Sequence, residues 1–395
     1  MKFSIKWIIF FFDSMNWREF YNLFESEQER IIETIKDFVN IESPSLDIEA
    51  SRQVADFLVR RIENLDCIDS IERIETKTGQ HLIIRAFQSQ TSKSLLVVGH
   101  TDTVHPRGAS RLNPTRVENG RLYGCGVFDM KANCILIIEA LEAIKQRSDE
   151  KPPLPITIFF SCDEEVGSIT GREIVESEAT KAQLCLVCEP SVNGKAKTGR
   201  KGTAAYILKA HGIPAHAGLE AERGASAILE IANQIKRIHE FNDKQTGTTA
   251  IVCQVKGGTA PNVVPAEAEC SIDVRFTTLS EAQKIDEKIR TLKPLDERVR
   301  LEILGGINRP PLERNEKVLG FYEHAKRLAA LMNYELGETQ VGGASDGNFV
   351  AALGVPVLDG LGVRGDGAHT LEEFICLDDL SYRATLLSML MLKPF

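Results

Sequence analysis

Short apolar runs alternate with helix-patterned stretches along the first half of the chain. Residues 95–98 and 184–187 are continuous apolar runs of strand length, and residues 156–160 form a third run in which only Thr157 is polar. Runs of this kind predict strands that are buried on both faces of a parallel sheet. Apolar residues recur at the helical period in residues 26–64 and again directly after Asp129. This alternation predicts a layered α/β domain.

The pattern changes after about Lys197. Four strands and two helices are predicted next, at 203–211, 223–240, 249–256, 267–276, 279–292 and 298–304. Their order, β-α-β-β-α-β, is that of a ferredoxin-like unit. After this unit the alternation of helices and strands resumes. We therefore predict an α/β/α catalytic domain of residues 1–197 and 309–395, interrupted by a smaller inserted domain of residues 198–308.

Composition narrows the possible partners. The 395 residues carry a net charge of −9 with no basic block, which argues against nucleic acid or an anionic membrane as a partner. Nine cysteines, an odd number without framework spacing, favour a reducing and therefore cytoplasmic setting. An apolar run at residues 7–12 is too short to span a membrane, so we predict a disordered or helical N-terminal extension there.

Each of the three buried runs leads into side chains that bind metal ions. These are His100 and Asp102 after the first run, Asp163, Glu164 and Glu165 after the second, and Glu189 after the third. In open α/β sheets the reactive crevice lies just past the carboxyl ends of the strands. We therefore expect these residues to converge there, where they would suit one or two divalent ions and a hydrolytic water.

The three adjacent acids predict a division of roles. In an extended segment, neighbouring side chains point in opposite directions. Of Glu164 and Glu165, one can therefore bind metal while the other faces the substrate as general base. The alternative for this segment is a solvated acidic turn.

Two more candidates complete the set of ligands. Asp129 follows a glycine-rich turn before a helix, where it would act as a helix N-cap or bridge two metals. His369 lies near the C-terminus. Five nitrogen and oxygen ligands exceed what one tetrahedral zinc needs, and two ions that share a carboxylate would use them all. The set is His100, Asp129, Glu165, Glu189 and His369, with zinc as the default metal and manganese or cobalt as substitutes.

One competing motif predicts a serine hydrolase. The segment 343–347 matches a G-x-S-x-G nucleophile elbow around Ser345, and Asp359 or Asp366 and then His369 follow in the hydrolase order. This hypothesis leaves the strand-end acids unexplained. A binding protein that has kept the fold but lost catalysis is a third possibility, although all the expected ligands are present.

Taken together, the motifs resemble the co-catalytic two-zinc exopeptidase and deacylase family. The family includes glutamate carboxypeptidase, acetylornithine deacetylase, succinyl-diaminopimelate desuccinylase and aminoacylase. The resemblance runs from about residue 30 to the C-terminus and is closest to glutamate carboxypeptidase. Its motifs are Gly99-His-Thr-Asp-Thr103, Gly124-x-Gly-x-x-Asp-Met-Lys131, Asp163-Glu-Glu-x-Gly167, Glu189-Pro190, Gly212-x-x-Ala-His216, Gly257-Gly-x-x-x-Asn262, Asp273-Val-Arg275, Gly342-Gly-Ala-Ser-Asp346 and His369.

The resemblance implies a role for each residue of the centre. One zinc would lie on His100 and Glu189 and the other on Glu165 and His369, with Asp129 as the bridge. Asp102 would orient His100, and Glu164 would be the general acid and base. The peptide bond between Asp129 and Met130 would be cis.

The resemblance also implies how substrate is held. The inserted domain would be a dimerisation lid, whose His216 would reach the active site of the partner subunit. Asn262 and Arg309 would hold the substrate, and Lys195 would recognise a glutamate side chain. The expected reaction is cleavage of the amide bond of a peptidyl or N-acyl amino acid with a free carboxylate. Deacylation of the acetylornithine or succinyl-diaminopimelate kind is the alternative.

Overall fold

The structure is a computed structural model that describes residues 17–89, 93–148 and 150–395. The apolar run at 7–12 lies outside the described residues. The chain divides into two compact units. Unit 1 consists of the described residues within Met1–Thr198, together with Arg314–Thr339 and Ser345–Phe395. Unit 2 consists of Gly199–Glu313 and Gln340–Ala344.

Unit 2 is longer than the inserted domain expected from the sequence, which covered residues 198–308. Two backbone hydrogen bonds explain the difference. The Leu312 N–H donates to the carbonyl of Arg200, and the Lys201 N–H donates to the carbonyl of Val341, both at 3.0 Å. These bonds keep residues 309–313 and 340–344 with unit 2.

The main sheet of unit 1 contains the three apolar runs. Its strands are β1 (Ile68–Glu75), β2 (Gln80–Ala86), β3 (Ser94–His100), β6 (Ile156–Ser161), β7 (Ala182–Val187) and β14 (Val357–Leu358). They lie in the order β1-β2-β6-β3-β7-β14. As predicted, the three apolar runs form β3, β6 and β7, and β3 is parallel to both of its neighbours. β1 and β2 are antiparallel, so the sheet as a whole is mixed.

Eight helices of unit 1 have described bounds. They are α1 (Trp17–Ser26), α2 (Gln28–Val39), α3 (Ile48–Ile62), α4 (Ala132–Arg147), α5 (Gly171–Ala179), α8 (Glu316–Leu331), α9 (Gly347–Ala352) and α10 (Leu380–Leu392). α4 and α10 are buried on nearly every side because their residues are apolar all round. Since α4 begins three residues after Asp129, its burial in the core fixes the turn that carries this residue. Among the described residues, no helix is long and apolar enough to cross a membrane.

Two smaller sheets complete the strand pairing, the first within unit 1 and the second from strands with residues in both units. One has the strands β4 (Arg116–Glu118), β5 (Arg121–Tyr123), β15 (Gly365–Asp366) and β16 (Phe374–Cys376), in the order β15-β16-β5-β4. The loop between β15 and β16 carries His369. The other pairs β8 (Ala196–Arg200) with β13 (Glu338–Val341).

Unit 2 has the predicted order of elements. Its strands are β9 (Gly202–His211), β10 (Thr249–Gly257), β11 (Glu267–Phe276) and β12 (Arg300–Arg309), and its helices are α6 (Ala227–His239) and α7 (Leu279–Arg290). The strands form an antiparallel sheet in the order β10-β11-β9-β12. Alternate residues of β9, such as Tyr206 and Leu208, are buried in a cluster with Ile231 and Ile285 from the two helices. This is a ferredoxin-like arrangement.

Candidate metal centre

Three neighbouring strands bring the predicted ligands together at their carboxyl ends. β3 lies between β6 and β7 and runs parallel to both, so the three strands end side by side. His100 is the last residue of β3, Glu164 and Glu165 form the turn after β6, and Glu189 follows β7. The convergence expected from the sequence is therefore present within unit 1.

The buried imidazole of His100 is oriented as a metal ligand. Its Nδ1 lies 3.0 Å from the backbone oxygen of Asp102 and 3.4 Å from the Oδ1 of the same residue. Since these oxygens accept, Nδ1 is the donor in the neutral ring. Nε2 then presents its lone pair towards Asp129 Oδ1 at 3.1 Å and Glu189 Oε1 at 3.5 Å.

Asp102 does more than orient His100. Its carboxylate also accepts hydrogen bonds from the backbone N–H of Glu164 at 3.1 Å and of Glu165 at 3.2 Å. The hydroxyl of Ser45 donates to it at 2.6 Å. These hydrogen bonds, together with the contact with His100, hold the pKa of the fully buried Asp102 below its usual value although burial alone would raise it. One carboxylate thus fixes the acidic turn relative to the histidine.

Asp129 lies between the two histidines. Its Oδ1 faces His100 Nε2 at 3.1 Å, and its Oδ2 faces His369 Nε2 at 3.5 Å. His369 also lies 3.2 Å from Glu165 Oε2. The peptide bond between Asp129 and Met130 is cis, as predicted. Each oxygen of Asp129 therefore points towards a different set of ligands, which is the arrangement that a bridging carboxylate requires.

The donor set fits divalent cations. Glu165 Oε1 is buried and has no hydrogen-bond partner among the described residues, although Glu165 Oε2 contacts His369. A buried carboxylate oxygen without a partner is costly. Nitrogen and oxygen donors without thiolate suit zinc, manganese or cobalt.

The electrostatics of the cluster also favour added positive charge. Hydrogen bonds with Asp129 and Glu165 raise the pKa of His369 to about 10. Burial opposes protonation of His100, but hydrogen bonds with Asp102 and Asp129 outweigh it and raise its pKa. Burial raises the pKa of Glu165. The neighbouring carboxylates thus stabilise the protonated, positively charged histidines. A divalent cation would compete with these protons for the same imidazole nitrogens.

Two overlapping groups of side chains, which share His100 and do not include His369, could each hold a metal ion. In each group the ligand atoms lie within 4.8 Å of one another. One group is His100, Glu164 and Glu189, and the other is His100, Asp129 and Glu165. The interatomic distances alone therefore do not show whether Glu164 is the predicted base or a metal ligand.

Comparison with known proteins identifies the family. The model of peptidase family M20/M25/M40 matches residues 96–393 of this chain. The chain belongs to this family. Membership confirms the resemblance drawn from the motifs, the α/β fold class and the prediction of a metal-dependent hydrolase.

Two relatives of known function match most of the chain. Carboxypeptidase G2 from Pseudomonas sp. (strain RS-16) is 27% identical over 358 residues, which cover 87% of this chain and 84% of the relative. A succinyl-diaminopimelate desuccinylase from Acidovorax ebreus is 29% identical over 370 residues, which cover 84% of this chain and 91% of the relative. Both alignments therefore span most of both proteins.

A solved structure supports the fold. A dinuclear metal binding peptidase of the M20 family from Bacillus subtilis superposes with a TM-score of 0.65. The two are 15% identical, and the superposition covers 94% of this chain and all of the other. At 15% sequence identity, this structural similarity is evidence for the fold alone.

The first of the three adjacent acids has a structural role. Asp163 is fully buried and accepts hydrogen bonds from the N–H of Thr170 at 2.7 Å and of Gly171 at 3.3 Å, at the start of α5. It therefore caps this helix. The solvated acidic turn considered from the sequence is absent, because Asp163 and Glu164 are both buried.

A lysine that was not predicted from the sequence, Lys197, lies beside the cluster. Lys195 is exposed in a turn closed by hydrogen bonds with Val192. Lys197 is buried, and its ammonium lies 4.0 Å from Glu189. Lys197 could not be predicted from the sequence, because two lysines so close together give no indication of which side chain turns towards the site.

The serine-hydrolase hypothesis is not supported. Ser345 is fully buried, and its hydroxyl donates to Asp359 at 2.7 Å. His369, the expected base, contacts Asp129 and Glu165 instead. The nucleophile-elbow pattern is therefore a chance match, as the family assignment also indicates.

Three predicted residues belong to unit 2. His216 is exposed, and its Nδ1 accepts from the N–H of Gly218 at 3.2 Å. The neighbouring Ala217 N–H donates to the carbonyl of Asn262 at 2.9 Å, so His216 and Asn262 lie on paired segments. Arg309 is the last residue of β12, opposite Thr203.

Proposed function

We propose that this protein hydrolyses the amide bond of a peptidyl or N-acyl amino acid with a free carboxylate, in a reaction that needs two metal ions. The position of Asp129 between His100 and His369 carries the proposal, since each carboxylate oxygen faces a different histidine. The relative named carboxypeptidase G2 supports the choice of a carboxypeptidase.

The ligands divide into two sets around the shared Asp129. His100 and Glu189, 3.5 Å apart, would hold one ion. His369 and Glu165, 3.2 Å apart, would hold the other. We propose zinc as the metal, with cobalt or manganese as substitutes. When bound, such ions lower the pKa of a coordinated water and polarise a carbonyl group.

The protein residues supply proton transfer and binding. Glu164 would take the proton from the attacking water and pass it to the leaving amine, and the hydrogen bond between its N–H and Asp102 holds it in place. His216 would donate a hydrogen bond to the oxygen that becomes negative in the transition state. Arg309 and Asn262 would hold the carboxylate of the substrate.

The remaining parts of the proposal concern specificity and assembly. Recognition of a glutamate side chain was expected at Lys195, but we assign it to Lys197, which lies beside Glu189. The ferredoxin-like unit 2 would form a homodimer and act as a lid. The nine free cysteines suit a reducing, cytoplasmic setting.

The metal requirement gives the first test. We expect about two equivalents of zinc per chain after reconstitution, measured by elemental analysis, because five ligands surround two positions. A strong chelator should abolish hydrolysis of dipeptides with a C-terminal glutamate, and added zinc should restore it. Full activity in a metal-free preparation would contradict the proposal and favour the serine-hydrolase hypothesis, with Ser345 as nucleophile.

The free carboxylate of the substrate gives a second test. Amidation of the substrate C-terminus should lower kcat/KM by about 30-fold, equivalent to about 2 kcal/mol, because a charge-assisted hydrogen-bond pair with Arg309 is lost. Arg309→Lys should reduce the preference for acid over amide, since lysine lacks the fixed fork of donors. Arg300→Lys, at the other end of the same strand, is the matched control. Equal turnover of acid and amide by the unmodified enzyme would exclude a carboxypeptidase.

The desuccinylase relative favours a second candidate within the same chemistry. An N-succinyl amino acid would then be hydrolysed faster than a peptidyl glutamate. Measurement of kcat/KM for both substrate classes with the zinc-loaded protein decides between the two. A preference for the succinyl compounds would move the enzyme to the deacylases and leave the metal centre as proposed.

A further inference from the structure

Behind the metal centre, one carboxylate holds the turn that carries Asp129. Glu373 is 0% exposed. Its Oε1 accepts hydrogen bonds from the N–H groups of Phe128 and Asp129, both at 2.8 Å, and its Oε2 accepts from the N–H of Gly126 at 2.7 Å. The imidazole Nε2 of His105 lies 2.8 Å from the same Oε2.

This turn needs an acceptor of that kind. It lies directly before α4 and is not part of that helix, and buried backbone N–H groups such as those of Gly126 and Phe128 need an acceptor. Gly126 has a φ of 75°, and Asp129 has φ and ψ of −117° and 92°, so the backbone here is not helical. Several N–H groups that point to one side form a concave site for an anion. The buried carboxylate of Glu373 fills that site.

Glu373 also belongs to the loop that supplies His369. The two residues are four apart, and the loop turns sharply between them, with His369 at a φ of 65°. The side chain of His369 is 54% exposed, and it faces Asp129 Oδ2 at 3.5 Å. The imidazole of His369 is therefore held by few contacts. The distance between His369 and Asp129 depends on how the His369 loop is attached to the turn that carries Asp129. The side chain of Glu373 makes one part of that attachment, beside the pairing of β16 with β5.

We infer that Glu373 is a positioning residue for the metal centre. It fixes the Asp129 turn and the His369 loop relative to each other, so that Asp129 and His369 face each other across one ion position. His105 completes the hydrogen bonding of its carboxylate. The inference rests on the metal-binding function proposed above, and it assigns a role to two residues that the sequence motifs do not single out.

Glu373→Gln tests the inference with little change in shape. The amide keeps one acceptor oxygen, but its NH₂ group must face either the amides of Phe128 and Asp129 or Gly126 and His105. Glu372→Gln is the matched control, since Glu372 is the exposed neighbour and loses the same charge. Both variants are loaded with zinc, the loss of zinc to a chromogenic chelator is timed, and kcat and KM are measured separately.

We expect Glu373→Gln to lose zinc about 10- to 100-fold faster than the wild type, the range usual for residues that support metal ligands. Its kcat should fall by a similar factor while KM changes by less than about threefold, because substrate contacts are untouched. Glu372→Gln should match the wild type in all three quantities. A folded Glu373→Gln protein with the zinc-loss rate of the wild type overturns the inference, even if its thermal midpoint is lower.

His105→Gln keeps the test decisive if Glu373→Gln fails to fold, as judged by circular dichroism. It leaves the three backbone hydrogen bonds in place and removes only the imidazole. Zinc loss at least threefold faster than in the wild type supports the inference, and an unchanged rate overturns it. A wild-type protein that takes up no zinc refutes the proposed function and the inference with it, which distinguishes that outcome from a failure of Glu373 alone.

Discussion

Replacement of Glu164 by glutamine is expected to lower kcat by about 10²- to 10⁴-fold while two zinc ions remain bound. An amide of the same shape cannot accept the proton of the attacking water or return it to the leaving amine. The backbone N–H of Glu164, which donates to Asp102 at 3.1 Å, is unchanged in this variant. The turn should therefore keep its position, and the loss should fall on kcat.

Glu165→Gln provides the contrast, one residue away. Glu165 faces His369 at 3.2 Å, and its other oxygen is buried without a hydrogen-bond partner among the described residues. Loss of its charge should remove one ion from the centre as well as activity. Elemental analysis and kcat, measured on both variants, test the division of roles.

The opposite result has a clear structural meaning. Glu164 also belongs to a group with His100 and Glu189 whose atoms lie within 4.8 Å of one another. If Glu164→Gln loses an ion and Glu165→Gln does not, Glu164 is the ligand and the assignment of roles is reversed. If both variants lose metal, the proton acceptor is another residue.

The ligands could be predicted because they follow a pattern along the chain. Buried parallel strands are recognisable as continuous apolar runs, and the ends of such strands meet at one edge of the sheet. His100 and Glu189 were placed by this argument alone, and the structure brings them to 3.5 Å. Asp129 and His369 were named as ligands from a glycine-rich turn and a second histidine near the C-terminus, but only the family resemblance divided the ligands between two ions, since a turn and a loop carry no periodic signal.

The orientation of His100 by Asp102 was predicted, but the contacts that supporting residues make with backbone amides were not, for a physical reason. Asp102 holds the backbone of the acidic turn, and Glu373 holds three backbone amides of the Asp129 turn. Such contacts depend on where main-chain N–H groups point, and every residue except proline carries one. Glu373 is also the second of two adjacent glutamates, and the sequence does not show which of them is buried. The boundary of unit 2 was missed similarly, because backbone pairing holds residues 309–313 and 340–344 there.

The second large effect is expected at His216. His216→Ala should lower kcat by about 100-fold, equivalent to about 3 kcal/mol, because the transition state loses a hydrogen-bond donor. Zinc content should remain at two ions, since His216 lies in unit 2 and the proposed ligands lie in unit 1. His239→Ala is the matched control, because His239 is an exposed histidine at the end of α6 in the same unit.

Mixed dimers decide whether His216 acts on its own subunit or on the partner. If the proposed dimer exchanges this residue, a hybrid of His216→Ala with Glu164→Gln contains one site with both Glu164 and His216 intact. Random reassortment makes about half of the dimers hybrid, so activity should recover to about a quarter of the wild-type value. Differently tagged subunits, purified over two affinity columns, give the hybrid alone and raise the expected recovery to about half. If His216→Ala alone is inactive and the hybrid dimer is inactive too, His216 acts within its own chain, and the exchange of His216 between subunits would then have to be abandoned.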